Sequence, residues 1–191
     1  MLIRAICLVV LSAIPLVQFS DAREAQRLGR STDDALYAAF TKGYGLATAA
    51  PVEIAEIVTE FRRAVLLARE RAKVGDVGFT EHDLIVAMNP HLGHVGFIVQ
   101  ARLNTMHTYA KAPAYELYVE TGPATPPLAG KTVKRDPVYA LGPMGSPLIG
   151  VRLEITVPRD EILKASKPEL ILTDENAVVL WRARIDLSRF R

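Results

Sequence analysis

The sequence predicts a mainly β chain with some helix: an antiparallel β-sandwich, preceded by one long amphipathic helix and a secretory signal peptide. Three observations carry this expectation. Past Gly78, apolar and polar residues alternate with a period of two. The segments between the alternating runs are short or rich in proline and glycine, with no helical stretch among them, which favours antiparallel pairing. Residues 51–74 carry an apolar stripe at the spacing of a helix instead.

The N-terminus divides into the three parts of an export signal. Arg4 supplies the positive charge, residues 5–17 are apolar apart from Ser12, and Ser20 and Ala22 place small side chains at −3 and −1 of a cut after Ala22. A spanning helix wants about 20 apolar residues, and Pro15 interrupts this run. Cys7 lies too early in the run to be a lipid-modified cysteine. Removing 1–22 leaves 169 of the 191 residues, still at a formal +2 because Arg4 and Asp21 cancel, and without the chain's one cysteine. A chain of that size can support its own core without disulfides. Thiolate nucleophiles and cysteine metal sites are excluded from it. So small a net charge also argues against nucleic-acid binding, which needs a basic stripe. The chain is expected to divide into the signal peptide (1–22), an N-terminal segment with a short helix (23–50), and a helix-plus-sandwich domain (51–191).

Taken in order, residues 23–31 are polar, without periodicity, and are expected to be a mobile mature end. Ser31, Thr32 or Asp33 can cap a short helix carrying Leu36, Tyr37 and Phe40, with Gly43 and Gly45 ending it. The long helix is expected over 51–74. Pro51 suits its first position, and Glu53 and Glu56 its first turn. Ile54, Ile57, Val58, Phe61, Val65 and Ala68 form its stripe, Arg62, Arg69, Arg71 and Lys73 gather toward its end, and Gly75 closes it. Residues 80–88 read two ways, since Thr80 and Asp83 resemble a capping box while Leu84, Ile85 and Val86 suit a strand. Strands are expected at 95–103, 115–120, 149–157 and 179–187, each with one apolar face. A turn at residues 174–177 joins 170–173 to 178–186. Residues 122–130 and 142–147, dense in proline and glycine, read as loops. Two such sheets packed face to face give a sandwich of general immunoglobulin-like architecture, with the long helix against an end or edge.

Candidate chemistry is sparse. His91 and His94 stand close in sequence, with His82, His107, Met88 and Met106 not far away. Imidazole and thioether ligands suit copper, but a His-x-x-His pair supplies only two ligands where a stable site needs three or four. A glycosidase needs a carboxylate pair, and Glu116, Glu120, Glu154 and Asp186 fall on polar strand faces. No nucleophile elbow occurs, since the proline after Ser146 opposes the required turn. Gly43-Tyr44-Gly45 starts like a dinucleotide fingerprint, but no strand precedes it. Tyr109, Tyr115, Tyr118 and Tyr139 sit at loops and strand ends, where aromatic rings suit recognition. Trp181 lies on the apolar face of its strand and reads as core. Lys131, Lys134 and Arg135, beside Pro137, suit a protected sheet edge.

The function expected is therefore an exported, periplasmic or secreted, non-enzymatic module of the cell envelope. It binds an envelope protein or a small ligand through its loops, touches no nucleic acid, and meets the membrane only through its signal before cleavage. One alternative is a periplasmic copper-binding protein that uses His91 and His94. A second is an envelope hydrolase with an acidic pair.

Overall fold

A computed structural model describes residues 19–104, 106, 107, 109, 111–122, 126–130, 132–140 and 146–190. In chain order the elements are α1 (Phe19–Gly29), α2 (Asp34–Lys42), β1 (Val52–Val58), α3 (Glu60–Lys73), α4 (Glu81–Met88), β2 (His94–Arg102), β3 (Glu116–Glu120), β4 (Leu128–Ala129), β5 (Thr132–Tyr139), β6 (Leu148–Pro158), α5 (Arg159–Lys164), β7 (Glu169–Thr173) and β8 (Val179–Arg184). All strand pairs are antiparallel. They form two sheets, β1-β2-β6-β5 and β4-β3-β7-β8.

The period-two alternation does what a strand requires. Val95, Phe97, Val99 and Ala101 of β2 and Val151, Leu153, Ile155 and Val157 of β6 point to one side. There they meet Leu117 and Val119 of β3, Leu170 and Leu172 of β7, and Trp181 and Ala183 of β8 in a single core. Both sheets thus bury one face against the same apolar layer, a sandwich-like arrangement. Pro137 sits in β5, an edge strand, where its missing N–H costs no ladder bond to a further neighbour.

The expected helix over 51–74 is wrong in its first half. Residues 52–58 form β1, paired to β2, and only 60–73 are helical. Val52, Ile54, Ile57 and Val58 are β-branched and fit a pleated surface. Ala55 and Ile57 face the sandwich core. The helix starts at Thr59, whose side chain accepts from the Arg62 N–H. The helix therefore does not precede the sheet but interrupts it, between its first two strands. Nor does it sit at an end or edge. α3 crosses the outward side of the first sheet, where a Cβ on Gly96 would lie 2.9 Å from Arg63 Nη2. Outward-facing Val58 and Ile98 are buried.

The ambiguous 80–88 segment is α4, opened by the capping box, with Asp83 accepting from the Thr80 N–H. The Thr80 bonds hold the Asp83 carboxyl below its usual range. The short helix expected after Ser31 is α2, capped by Asp33. Residues 23–31 are not a mobile end. They belong mostly to α1, whose Ala22, Ala25 and Leu28 join Phe61, Ala64, Val65, Phe79, Leu84 and Met88 in a second, helical core. A cut after Ala22 falls inside α1. The expected loop 122–130 contains the short edge strand β4 at Leu128–Ala129. Residues 1–18 of the expected signal, Lys131, and 123–125 and 142–145 of the two expected loops lie outside the described residues.

One charged knot ties the helical layer to the sheet. The Arg62 side chain is 2 % exposed and donates to Glu56 of β1 and to the Tyr37 hydroxyl of α2. Its guanidinium carbon lies 5.4 Å from the ring centres of Tyr37 and Phe40 and 5.9 Å from that of Tyr44. Burial opposes its charge, but the Glu56 hydrogen bond and charge outweigh that and raise its pKa further.

Candidate functional site

Strand register sorts the loops onto two ends. β2 finishes where β6 begins and β1 begins, since Arg102 pairs with Gly150 and Val52 with Ala101. Tyr139, at the close of β5, pairs with Leu148 at the same end. In the second sheet β3 opens opposite Thr173, and β8 starts after the turn that follows it. α5 and the run-out of β8 occupy the other end, where the Ile185 N–H donates to the Pro168 carbonyl. The chain therefore leaves β2, passes from β5 to β6 and turns from β7 to β8 at one end, where residues 103, 104, 111–115, 140, 146, 147 and 174–178 gather.

Between the chain leaving β2 and the β7–β8 turn lies a cleft of about 580 Å³, lined by Tyr109, Lys111, Pro113, Tyr115, Asp174 and Leu180 among others. Tyr109 and Tyr115 pack partly onto the sandwich core. Burial pushes the Tyr115 hydroxyl up in pKa, and Tyr109 and Asp174 add to the effect. The opposite wall is preset by its own chemistry. Asp174 Oδ1 accepts from the N–H groups of Asn176 and Val178, and Ala177 adopts φ = 60° to close the turn. At this end Met106 is 86 % and Val178 56 % exposed, with Tyr139, Ile149 and Val179 also exposed.

No known protein family, curated protein or solved structure matches the chain. The chemistry of this end must therefore be read from its own residues.

The structure divides the other candidates. His91 and His94 flank the turn into β2, and His94 Nδ1 lies 2.8 Å from the Leu92 carbonyl oxygen. Burial lowers the His91 pKa, Arg63 and His94 add to the fall, and Glu154 opposes it. Met88 is buried in the helical core, while Met106 and His107 lie beyond the far end of β2. Among the described residues no three His, Cys, Asp or Glu side chains assemble as a metal-ligand group.

The four carboxylates are scattered as well. Glu116 and Glu120 lie on β3. Asp186 accepts from Ser188, which lowers its pKa. Glu154 alone lines a cleft with other acids, and it is bonded to Arg63. Gly43 caps α2 and Gly45 bridges to Glu56, so the glycine pair serves a turn. Trp181 is core, as expected.

Of the four tyrosines, Tyr109 and Tyr115 share the cleft, Tyr139 stands at the same end, and Tyr118 is mid-strand. Sequence reading offered Met106 only as a copper ligand, placed Ile149 and Val179 on buried strand faces where they prove exposed, and gave Val178 no role. Isolated apolar residues near turns give no signal until strand register gathers them.

Proposed function

We propose that this chain is an exported, non-enzymatic binding module of the cell envelope, periplasmic in location, built on an immunoglobulin-like sandwich that grips a protein partner with one loop end. The support for the fold reading is strand order. Lettered in sequence, the two sheets run A-B-E-D and C′-C-F-G, the immunoglobulin arrangement with one added C′ strand. In that scheme the gathered connections are the B–C, D–E and F–G loops, and folds of this kind commonly place recognition there. The helical layer is then an insertion in the A–B connection plus two leading helices.

The observation that carries the function is that Met106, Tyr139, Ile149, Val178 and Val179 are all exposed at the end of the sandwich that holds the Tyr109–Tyr115 cleft. Exposed apolar side chains gathered at one end of a fold suit an interaction surface. Interfaces are enriched in tyrosine and methionine in particular. Export is supported by the composition of residues 1–22.

The test is site-specific photo-crosslinking in intact envelopes. The crosslinker is placed at Val178 or Tyr139, and at Leu163 on α5 at the opposite end. A discrete adduct from the first two positions, absent from Leu163 and lost with Met106→Asp, is expected. Adducts that arise equally at Leu163, or that survive Met106→Asp and Tyr115→Ala together, would overturn the reading.

A further inference from the structure

We propose that a second site, the cleft between α3 and the outward face of β5 and β6, binds a small phosphorylated anion. The cleft has a volume of about 540 Å³ and shares no lining residue with the loop-end cleft. Arg69 and Lys73 enter it from α3, four residues apart and so on one side of the helix. Lys134 enters from β5 and Arg152 from β6. Besides Arg62, which is bonded to Glu56, four cations thus converge from three elements.

The acids that line the floor are largely committed. Glu56 is bonded to Arg62, and Glu154 to Arg63. Asp136 faces Arg152 across the strand pair but makes its ion pair with Lys134, at 3.2 Å. Among the described residues the side chains of Arg152 and Lys73 make no hydrogen bond or ion pair, and that of Glu70 is the one acid of the lining similarly uncommitted.

Arg69 is held in place by its stack on Tyr37, 3.6 Å from the ring centre, while its contact with exposed Asp34 is 3.5 Å. Exposed pairs like these hold their members weakly and yield to a multivalent anion. A guanidinium fork matches two phosphate oxygens at once, and Arg152 is free to offer it. A monocarboxylate would leave most of the four cations unmatched. An extended nucleic acid would need a basic stripe that a chain of net +2 does not carry. The shared chemistry is a phosphate group, supplied by a soluble compound or by a lipid headgroup.

The experiment is amide NMR titration of the purified chain with inorganic phosphate and with pyrophosphate, paired with sedimentation on phosphatidylglycerol and phosphatidylcholine vesicles. Pyrophosphate should shift amides of α3, β5 and β6 and weaken as salt is raised. Arg152→Ala should weaken binding about tenfold, the loss of one charged hydrogen-bonding group. Arg152→Lys should recover only part of it, and Glu70→Gln should tighten binding. These side chains are exposed, so the variants keep the fold. Sedimentation with phosphatidylglycerol alone, abolished by Arg152→Ala, identifies a headgroup; titration by pyrophosphate without sedimentation identifies a soluble ligand. Absence of shifts at tens of millimolar pyrophosphate, or equal affinity in the wild type and Arg152→Ala, would overturn the site.

Discussion

Arg62 of α3 carries a full charge where water hardly reaches, and its partners come from two other elements: Glu56 on β1 and Tyr37 on α2. Removing one member of a buried pair leaves the other uncompensated. Arg62→Ala should therefore cost about 3–5 kcal/mol. Replacing both members with apolar side chains removes the desolvation penalty along with the attraction, so Arg62→Met with Glu56→Leu should lose much less. Urea unfolding of the single and double variants measures both; a double variant as damaged as Arg62→Ala would show that the pair does more than neutralise itself. His91 makes a smaller but signed contribution. Its folded pKa is below the ordinary 6.5, burial being the main cause and Arg63 the next. The folded state then favours the neutral ring, so this stability is present above pH 6.5 and lost as pH falls through the lowered value. Arg63, His94 and Glu154 face the same ring and are present in both proteins, so a variant comparison isolates His91. Between about pH 7.5 and about pH 5, His91→Gln should lose less stability to urea than the wild type. Parallel pH profiles for the two would refute this.

At the scale of elements, the approach of α1 to α3 is set by Gly29. A Cβ there would stand 2.6 Å from the Ala68 Cβ and 2.8 Å from the Arg69 nitrogen, so a backbone would have to move. Gly29→Ala should destabilise by about 1–3 kcal/mol, the usual cost of overpacking. The exposed Gly75, which has open space but φ = 72°, should lose stability through backbone strain alone if changed likewise. Thermal melts of both separate contact from strain, and an unshifted Gly29→Ala would mean that α1 is not docked as described.

This packing also explains what the sequence disclosed. Strands β2, β3, β6 and β8 were legible because apolar and polar residues alternate along each, and β7 through the turn after it, which the Asp174 side chain builds. β1 was hidden because Ile54, Ile57 and Val58, read on a helix wheel, line up with Phe61, Val65 and Ala68 of the true helix. The β-branched density of residues 52–58 and the cap at Thr59 were the signals that could have divided them. α1 was hidden because its buried face is mostly alanine and its mean character is polar. β5 was read only as a charged edge, since an edge strand with an internal proline lacks a clear apolar face. The loop-end surface was half legible. Tyrosines announce themselves, whereas scattered valine, isoleucine and methionine become a patch only through pairing register.

For the molecule as a whole, the decisive feature is that it has two cores with little shared apolar surface. One lies between the sheets and the other among α1, α3 and α4. The links between them are the chain continuity from β1 to α3, the Arg62–Glu56 and Arg63–Glu154 pairs, and the seat of α3 over Gly96. Cooperative units of this kind open at different free energies, since each loses its own buried contacts when it opens. β2 and β6 are central in their sheet and paired on both sides, so their amides should exchange slowest. α2 has no buried residue and leans on the layer mainly through Tyr37 and Phe40, so residues 34–42 should exchange fastest among the helices. α3, buried along one face and tied to the sheet, should fall between. Hydrogen exchange read by mass spectrometry tests the order. Arg62→Met should speed exchange in α2 and α3 while leaving β2 and β6 unchanged, because the knot joins the layers without belonging to the sandwich core. Equal protection throughout, or a loss in Arg62→Met that spreads evenly into β6, would show one cooperative body in place of two.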